Sequence, residues 1–340
     1  MTPDATGRGK VLVTGATGFL GAALIQRLLG DGARVRALAR SAASASPLAE
    51  LGAEVVLGDV TDRRAVSEAL DGVEVVYHLA GRLLVPGVPA AEYRRTHVAG
   101  TELMLECCAE MPSVRRFVHC STTGVLGVTG PTPADESAAF RPTNVYEATK
   151  AEAEMAVRRA VQSGFPAVIV RPGLVYGPGD LHLLGFFRSV LRRQFRPIGR
   201  QAVWLHPIYI DDMSEALVRC GEHPAAVGEC FHIAGTQTVS LAERGAEIAR
   251  AEGTHLPGGR IPWAPAYAAA LVGDCLPARL KRYAPLTRTR LDFLTHSRVY
   301  DVAKAKRLLG FVASTDLATG IARTTEWYRQ QHLLPLGVAA

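Results

Sequence analysis

The stretch from Val11 to Gly21 constrains the fold more than any other part of this sequence. It reads V-L-V-T-G-A-T-G-F-L-G, an apolar run that breaks into three glycines spaced three residues apart and continues with helical periodicity. Glycine at 15 and 18 lets the backbone turn sharply and approach a pyrophosphate, while Gly21 lets the helix pack closely on the strand. The helix amino terminus then faces two phosphates. The sequence therefore predicts a strand, a tight turn and a helix that bind a dinucleotide.

Apolar runs rich in β-branched residues alternate with helical patterns through the first half of the chain. The predicted strands span residues 11–14, 34–39, 55–57, 73–79, 116–120 and 167–170. Helices are predicted near 92–111, 143–163, 181–194, 212–222, 241–252 and 318–331. This alternation indicates an α/β fold, a doubly wound parallel sheet with helices on both faces.

The regular alternation fades after Val175, where proline, glycine and arginine become frequent. We therefore expect a dinucleotide-binding domain over residues 8–175, with its sheet completed by later segments near 204–234. A smaller, discontinuous lobe that mainly binds substrate is expected over residues 176–332. The length of 340 residues suits one large α/β domain that carries such an addition.

Composition excludes several classes of protein. The net charge of +6 comes from lysines and arginines scattered along the chain, which is typical of a solvated surface and argues against nucleic-acid binding. The six cysteines form no C-x-x-C pair and residues 1–10 lack an apolar signal region, so we expect a cytoplasmic protein. The histidines show no ligand spacing, and no metal is expected.

The most lipid-like stretch of the sequence is residues 263–272. It has about half of the roughly 20 residues that a bilayer-spanning helix needs. We therefore expect no transmembrane segment, and the stretch is interpreted as a buried or pocket-lining helix.

Tyr146 and Lys150 are the second pair of residues that points to a function. They are four residues apart in a predicted helix, so their side chains share one face of it. Tyrosine titrates near pH ~10, and a neighbouring lysine together with an oxidised nicotinamide can make it a usable acid or base nearer neutrality. The pair follows, by one crossover, a strand that ends in Ser121 and Thr122. Hydroxyl groups at the carboxyl edge of a parallel sheet are placed where α/β sites form.

Together these motifs resemble the extended short-chain dehydrogenase/reductase family (the NAD-dependent epimerase/dehydratase superfamily), which has a Rossmann fold, over residues 10–330. The matching pieces are T-G-A-T-G-F-L-G at 14–21, G-D-V at 58–60, H-L-A-G at 78–81, Y-E-A-T-K at 146–150, R-P-G-L-V-Y-G-P-G-D at 171–180 and H-P-I-Y-I-D-D at 206–212. The resemblance implies that Tyr146 gives or takes the proton. It implies that Lys150 tunes Tyr146 and holds the nicotinamide ribose.

Alignment on Gly127 puts the family's catalytic serine position at Thr122, which supplies the same hydroxyl. The flanking Ser121 and Thr123 are expected to satisfy backbone groups at the strand end. A second difference is His97, which stands where the family usually has an asparagine that orders a relay water. His97 either replaces that asparagine or is an ordinary helix histidine.

Leu174 stands where sugar-nucleotide enzymes of the family place an asparagine that contacts substrate phosphates. This favours an apolar ligand. The segments 262–267 and 285–288, followed by 293–294 and 299–301, resemble the 3β-hydroxysteroid dehydrogenase branch and its relatives that reduce long-chain 3-oxoacids. We therefore expect a bulky apolar ketone or alcohol as substrate.

The end of the second predicted strand bears on cofactor choice. In proteins that bind NAD, an acidic residue at this position hydrogen-bonds the ribose of the cofactor. This chain has Ala39 there instead. The next residue is Arg40, whose planar cation suits the 2′-phosphate of NADP. NADP is expected, with NAD an open alternative. The resemblance assigns Asp59 to adenine, although it can also cap a turn. Asp211 and Asp212 are expected to cap the next helix.

The expected catalytic residues are Thr122, Tyr146 and Lys150. The expected cofactor-binding residues are Gly15, Thr17, Gly18, Phe19, Leu20, Gly21, Arg40, Asp59, Val60, Leu79, Ala80, Gly81, Tyr146, Lys150, Pro172, Leu174 and Val175. The leading hypothesis is an NADP(H)-dependent oxidoreductase. The family resemblance also implies a homodimer. The alternatives are a sugar-nucleotide epimerase or dehydratase that uses NAD, and a non-catalytic dinucleotide-binding regulator.

Overall fold

The computed structural model describes residues 9–277, 280, 284 and 286–335. Three sequence-based interpretations fall outside them, in whole or in part. These concern Arg8 at the start of the expected dinucleotide-binding domain, the polar segment 1–8, and Pro285 in the segment that resembles hydroxysteroid dehydrogenases.

The strands alternate with helices along the first half of the chain. The strands are β1 (Lys10–Thr14), β2 (Arg34–Ala39), β3 (Glu54–Leu57), β4 (Val73–His78), β5 (Arg116–Cys120), β6 (Gly130–Ala134), β7 (Ala167–Pro172), β8 (Leu174–Tyr176), β9 (Trp204–Leu205), β10 (Pro207–Tyr209), β11 (Cys230–Ile233), β12 (Val239–Ser240) and β13 (Arg298–Tyr300). The α-helices are α1 (Phe19–Gly30), α2 (Ala42–Glu50), α3 (Arg63–Leu70), α4 (Ala90–Arg94), α5 (Gly100–Ala109), α6 (Val145–Gln162), α7 (Leu184–Leu191), α8 (Ile210–Glu222), α9 (Leu241–Ala251), α10 (Trp263–Cys275), α11 (Arg288–Thr295), α12 (Ala303–Leu309) and α13 (Leu317–Gln330).

Seven parallel strands of the described chain form one sheet, in the order β3-β2-β1-β4-β5-β7-β11. Successive strands run outward from β1 in one direction through β2 and β3, and then in the other direction from β4 onward. The order therefore reverses between β1 and β4, where Thr14 lies beside His78. Ligands of open α/β sheets bind at the carboxyl ends of the strands at such a reversal.

Both faces of the sheet are covered by helices, which confirms the predicted α/β doubly wound class. Along β1, Val11 and Val13 pack in the core shared with α1 and α8, whereas Leu12 packs in the core shared with α3 and α5. The alternation follows from the period of two residues along a strand. A third apolar cluster joins α7, α9 and α13 through Phe187, Ile248 and other residues.

The helix predicted over 92–111 is interrupted. It consists of α4, a π turn over Arg95–Ala99, and α5. A π turn inserts one extra residue and is frequently found at functional sites. Here it contains His97, whose buried ring contacts two other elements.

The predicted capping role of Asp211 and Asp212 is wrong. Both residues lie inside the first turn of α8, and Tyr209 is the cap residue. The buried carboxylate of Asp212 instead accepts hydrogen bonds from the backbone N–H and hydroxyl of Ser314 and from the backbone N–H of Thr315. Asp212 therefore fastens a distant loop, 102 residues away from it in sequence, to the start of α8.

The interpretation of 263–272 as a buried or pocket-lining helix is also wrong. In α10 only small residues are buried, namely Ala266, Ala270 and Gly273. Trp263 is 50% exposed and Val272 is 68% exposed. The large apolar side chains face outward because the small ones allow the helix to pack closely against its neighbours. Across the described part of the chain, no helix is both long and apolar enough to cross a membrane.

A buried ion pair attaches α6 to the sheet. Glu154 of α6 accepts hydrogen bonds from Nε and Nη2 of Arg171 in β7, at 3.0 and 2.7 Å, and both side chains are fully buried. Ser121, at the end of β5, donates a further hydrogen bond of 2.7 Å to the same carboxylate. Burial by itself raises the pKa of Glu154, but these hydrogen bonds and the Arg171 charge bring that pKa below its ordinary value.

Replacement of Glu154 by glutamine should destabilise the fold strongly. Removing one partner of a buried pair leaves the other charge uncompensated, which costs about 3–5 kcal/mol. The matched control is Glu152→Gln on the same helix, which breaks a more exposed pair with Arg94 and should cost below about 1 kcal/mol. Urea unfolding measures the free energy of unfolding of both variants. Equal losses would show that the buried pair stabilises the fold no more than the exposed pair does.

Candidate active site

A cleft with a volume of about 720 Å³ lies at the carboxyl ends of the central strands. Every expected catalytic and cofactor-binding residue lines it, including the glycine turn, Tyr146 and Lys150. The cleft is also lined by residues that were not expected, which are Leu38, Ala39, Gly58, Arg82, Leu83, Thr96, Cys120, Ser121, Gly173, Asp180, His182 and Leu183. Most of these residues lie inside or next to one of the sequence motifs. For Thr96, His182 and Leu183, no motif indicated a place in the site.

The glycine turn has the geometry of a phosphate cradle. Gly15 has φ +67°, a left-handed conformation that side chains disfavour, and a Cβ there would lie 2.6 Å from the carbonyl oxygen of Leu79. A Cβ at Gly21 would collide with the carbonyl oxygen of Gly15. Gly18 caps α1 without a side-chain hydrogen bond, so the first N–H groups of the helix face the cleft. These residues fit the diphosphate of a dinucleotide.

Another part of the cleft wall is formed by residues at the ends of β2 and β3. Ala39 is buried as the last residue of β2, and the side chain of Arg40 is exposed and lines the cleft. Asp59 also lines the cleft, and its Oδ1 accepts hydrogen bonds from the backbone N–H and hydroxyl of Thr61, at 3.0 and 2.7 Å. Asp59 thus orders the turn after β3 while it remains on the wall of the cleft.

Three consecutive hydroxyl residues follow β5, and only the middle one faces Tyr146. Ser121 donates to Glu154, and Thr123 donates to the carbonyl oxygen of Pro172 at 2.9 Å. The hydroxyl of Thr122 accepts from the backbone N–H of Gly124 at 3.0 Å and hydrogen-bonds the phenol of Tyr146. The arrangement brings the phenol of Tyr146 and the hydroxyl of Thr122 together in the cleft.

Lys150 lies one turn beyond Tyr146 on α6, almost fully buried. Its Nζ donates to the carbonyl oxygen of Cys120 at 2.5 Å. Burial lowers the pKa of Lys150 and raises the pKa of Tyr146, and the hydrogen bond from Thr122 only partly offsets the second effect. The lowering of the Tyr146 pKa that was expected from Lys150 and an oxidised cofactor is not produced by the chain alone, because burial dominates. Tyr146 is therefore protonated near neutral pH.

His97 connects the cleft wall to the helix that carries Tyr146. Its Nε2 accepts the backbone N–H of Arg82 at 2.9 Å, which leaves the proton on Nδ1, and Nδ1 donates to the hydroxyl of Thr149 at 2.8 Å. The ring lies edge-on to Tyr146, with centroids 5.6 Å apart. Both ring nitrogens are thus occupied, so the geometry favours a positioning role over proton relay.

Buried neutral histidines surround this end of the cleft. His78 hydrogen-bonds Thr14 at 2.9 Å and Thr101 at 3.0 Å, and it stacks on His119 at 5.7 Å. Within the described residues, neither ring nitrogen of His119 has a hydrogen-bond partner. Burial and the charge of Lys150 lower the pKa of His78 and of His97 to about 3, and that of His119 well below its ordinary value.

These histidines should make the fold sensitive to mild acid. The pKa of His232 is likewise lowered to about 4, by burial and Arg171. A histidine that is neutral when folded binds a proton only on unfolding, so its contribution is complete above the unfolded pKa of 6.5 and declines as the pH falls. Each of the four should remove roughly 1.4 kcal/mol of stability per pH unit below that value.

The variant His119→Leu tests this dependence, with exposed His255→Leu as its control. Between pH 7 and pH 5, urea unfolding should show about 2 kcal/mol less loss of stability for His119→Leu than for the wild type, and an unchanged loss for His255→Leu. If the stability of the wild-type protein did not change between pH 7 and pH 5, the conclusion that the buried histidines are neutral in the folded state would be contradicted.

Comparison with known proteins gives a consistent result. Residues 11–234 match the model of the NAD dependent epimerase/dehydratase family. A Stigmatella aurantiaca protein, 4-hydroxy-2-methyl-3-oxo-4-farnesyl-3,4-dihydroquinoline-1-oxide ketoreductase, is 31% identical over 92% of this chain and 94% of its own length. A 2-alkyl-3-oxoalkanoate reductase of Shewanella oneidensis is 30% identical over 92% and 84%. A 3 beta-hydroxysteroid dehydrogenase/Delta 5-->4-isomerase of Mycobacterium tuberculosis is 29% identical over 89% and 86%.

Solved structures share the fold along nearly the whole chain. The crystal structure of gox2253 superposes with a TM-score of 0.80 at 27% identity and covers 96% of this chain and all of its own. The structure of MoeE5 in complex with UDP-glucuronic acid and NAD superposes with a TM-score of 0.74 at 26% identity, over 95% of this chain and 100% of its own.

Proposed function

This chain belongs to the NAD-dependent epimerase/dehydratase family and is an NAD(P)-dependent enzyme of the short-chain dehydrogenase/reductase type, and from that premise we propose that it interconverts a ketone and a secondary alcohol on a bulky apolar substrate with NADP(H). The family membership predicted from the sequence motifs is confirmed. The cofactor preference, the substrate and the roles of the site residues are the proposal.

The observation that carries the proposal is the contact between Tyr146 and Thr122 in the same cleft that the glycine turn lines. A hydroxyl and a protonated phenol that face the same space can both hydrogen-bond one substrate oxygen. The dinucleotide supplies or accepts the hydride when it is bound. Tyr146 then donates the proton to the ketone oxygen in the reductive direction, and Thr122 orients that oxygen.

Lys150 has two tasks in this proposal. Its buried ammonium is anchored on Cys120 and faces the cleft, where it can hold a ribose hydroxyl by hydrogen bonding. Its positive charge also favours the phenolate of Tyr146 after proton transfer. The short bond to Cys120 fixes the ammonium within reach of both partners.

NADP is supported by the residues at the end of β2. Ala39 offers no carboxylate to a ribose 2′-hydroxyl, and Arg40 presents a permanently charged, exposed guanidinium at the cleft. A phosphate at the 2′ position would form a charge-assisted contact with Arg40.

An apolar substrate is supported by the cleft walls and by the relatives. Leu83, Leu174 and Leu183 line the cleft. The relatives are named for a farnesylated quinoline oxide, a 2-alkyl-3-oxoalkanoate and a 3β-hydroxysteroid, all of which carry large hydrocarbon portions. The structural similarity to MoeE5, solved with UDP-glucuronic acid, supports a sugar nucleotide as the second candidate.

The variant Tyr146→Phe should lower kcat by roughly 10²- to 10⁴-fold while cofactor binding is kept, because the ring remains and only the transferable proton is lost. Lys150→Met should impair both kcat and cofactor affinity. The control is Tyr267→Phe, which lies outside the cleft and should retain wild-type kcat. Steady-state kinetics with a reducible ketone measures all three, and a Tyr146→Phe enzyme of normal kcat would exclude the assigned role.

The variant Arg40→Ala should weaken NADPH binding by about 1.5–3 kcal/mol, the usual contribution of a hydrogen bond to a charged group, and leave NADH binding nearly unchanged. Fluorescence titration of the two reduced cofactors gives both affinities. Arg307→Ala, an exposed arginine on α12, serves as the control. Equal losses for both cofactors in Arg40→Ala would show that Arg40 does not read the 2′-phosphate.

Across a series of ketones with lengthening alkyl chains, kcat/KM should rise by about fourfold per methylene until the cleft is full, which corresponds to about 0.8 kcal/mol for each buried methylene. UDP-glucose should neither inhibit nor raise the Tm in the presence of cofactor. Stabilisation by UDP-glucose together with a flat ketone series would instead favour the sugar-nucleotide candidate.

A further inference from the structure

The outward surface of α10 is apolar. We define the α10 face as Trp263, Tyr267, Leu271 and Val272. The first three recur every four residues along the helix, and Val272 is exposed next to Leu271. Trp263 is 50%, Leu271 40% and Val272 68% exposed, and the ring of Tyr267 stacks on Trp263 with centroids 4.7 Å apart. Ala266 and Ala270 of α10 are buried against Leu291 of α11, and Tyr267 packs partly against the same cluster. Trp263, Leu271 and Val272 stay exposed to solvent.

Two segments next to the α10 face are basic and contain no carboxylate in the sequence. Residues 181–210 include five arginines, at 188, 192, 193, 196 and 200, and no aspartate or glutamate. Residues 253–273, which run into α10, include Arg260 and again no acidic residue. The arginines at 192, 193, 196, 200 and 260 are all exposed.

Backbone contacts hold these two segments together at the start of α10. Ile198 forms a parallel bridge with Ile261, and the N–H of Ile261 bonds the carbonyl oxygen of Pro197 at 2.9 Å. Arg196 donates to the carbonyl oxygen of Gly258, and Arg260 donates to that of Gly199. The cluster of arginines, here called the basic loop pair, therefore lies directly beside the apolar helix.

We propose that the α10 face and the basic loop pair together dock the protein on the surface of an anionic phospholipid bilayer. Binding to a membrane surface strengthens with the apolar area that is buried and with the attraction of cations to anionic lipids, and this surface offers exposed apolar side chains beside exposed arginines. The arginines are attracted by acidic lipid headgroups while the apolar side chains enter the boundary with the acyl chains.

The docked orientation places the cleft close to the lipid. Leu183 lines the cleft, and α7 leads from the next residue, Leu184, to Arg192 at the start of the basic loop pair. Eight helical residues span only about 12 Å at 1.5 Å per residue. An apolar compound dissolved in the bilayer would thus have a short path to the cleft. The docking surface itself does not depend on the proposed reaction.

Cosedimentation of the full chain with lipid vesicles tests the proposal. The protein should bind vesicles of phosphatidylcholine mixed with phosphatidylglycerol, bind phosphatidylcholine alone weakly, and be released by high salt. Arg192→Gln combined with Arg200→Gln should weaken binding roughly 30-fold, the change that corresponds to about 1 kcal/mol for each cation near an anionic surface. The control pair is Arg64→Gln with Arg307→Gln, which removes the same charge from other exposed sites.

The apolar part of the surface is tested by Val272→Ser, which should weaken binding roughly tenfold. Val312→Ser is its control, because Val312 is 50% exposed elsewhere. Failure to bind the anionic vesicles would overturn the proposal, and so would equal losses in the variants and their controls. A dimer that dissociates in Val272→Ser while vesicle binding stays unchanged would show instead that the face joins two copies.

Discussion

The buried pair between Glu154 and Arg171 is the contact on which the position of the candidate active site depends. Glu154 lies one helical turn beyond Lys150 and two turns beyond Tyr146 on α6, and Arg171 lies in β7, whose end at Pro172 forms part of the cleft. The same carboxylate takes the hydroxyl of Ser121, which leaves the neighbouring Thr122 to face Tyr146. One charged contact thus sets the distance between the helix, two strand ends and the cleft. Because both charges are buried, a shift of either element would leave one of them without its partner.

The second organising constraint is the charge of Lys150 in a buried setting. Burial, with the Lys150 charge adding to it, lowers the pKa of His78, His97 and His119, so these neutral rings add no positive charge beside Lys150. Neutral His97 can therefore accept the N–H of Arg82, a bond that a doubly protonated ring could not form. The cleft wall and the helix that bears Tyr146 are connected through this ring. Lys150 is the cation that lies beside Tyr146 in the cleft.

Much of the sheet could be predicted from the sequence, because strand runs, the glycine turn and the Tyr146–Lys150 spacing are local patterns that depend on neighbouring residues. The errors come from long-range contacts. Asp212 was predicted to cap a helix because it precedes a helical pattern. Its actual partners, Ser314 and Thr315, lie about a hundred residues away and cannot be identified from the residues near α8. Residues 263–272 looked like a core helix because composition cannot show that the alanines, and not the tryptophan, face inward. The expected site residues do meet in one cleft, but their chemical roles depend on a bound cofactor and substrate, which sequence patterns do not describe.

The most direct test of the proposed chemistry follows the hydride. Incubation of the enzyme with NADPH deuterated at C4 of the nicotinamide and a bulky apolar ketone, followed by mass spectrometry of the product, reports whether hydrogen is transferred permanently. The proposal predicts an alcohol that carries deuterium on the carbinol carbon, in proportion to the NADPH oxidised. A sugar-nucleotide epimerase returns its hydride to the same substrate. Isomerisation of UDP-glucose with no net oxidation of NADPH and no labelled alcohol would contradict the proposal.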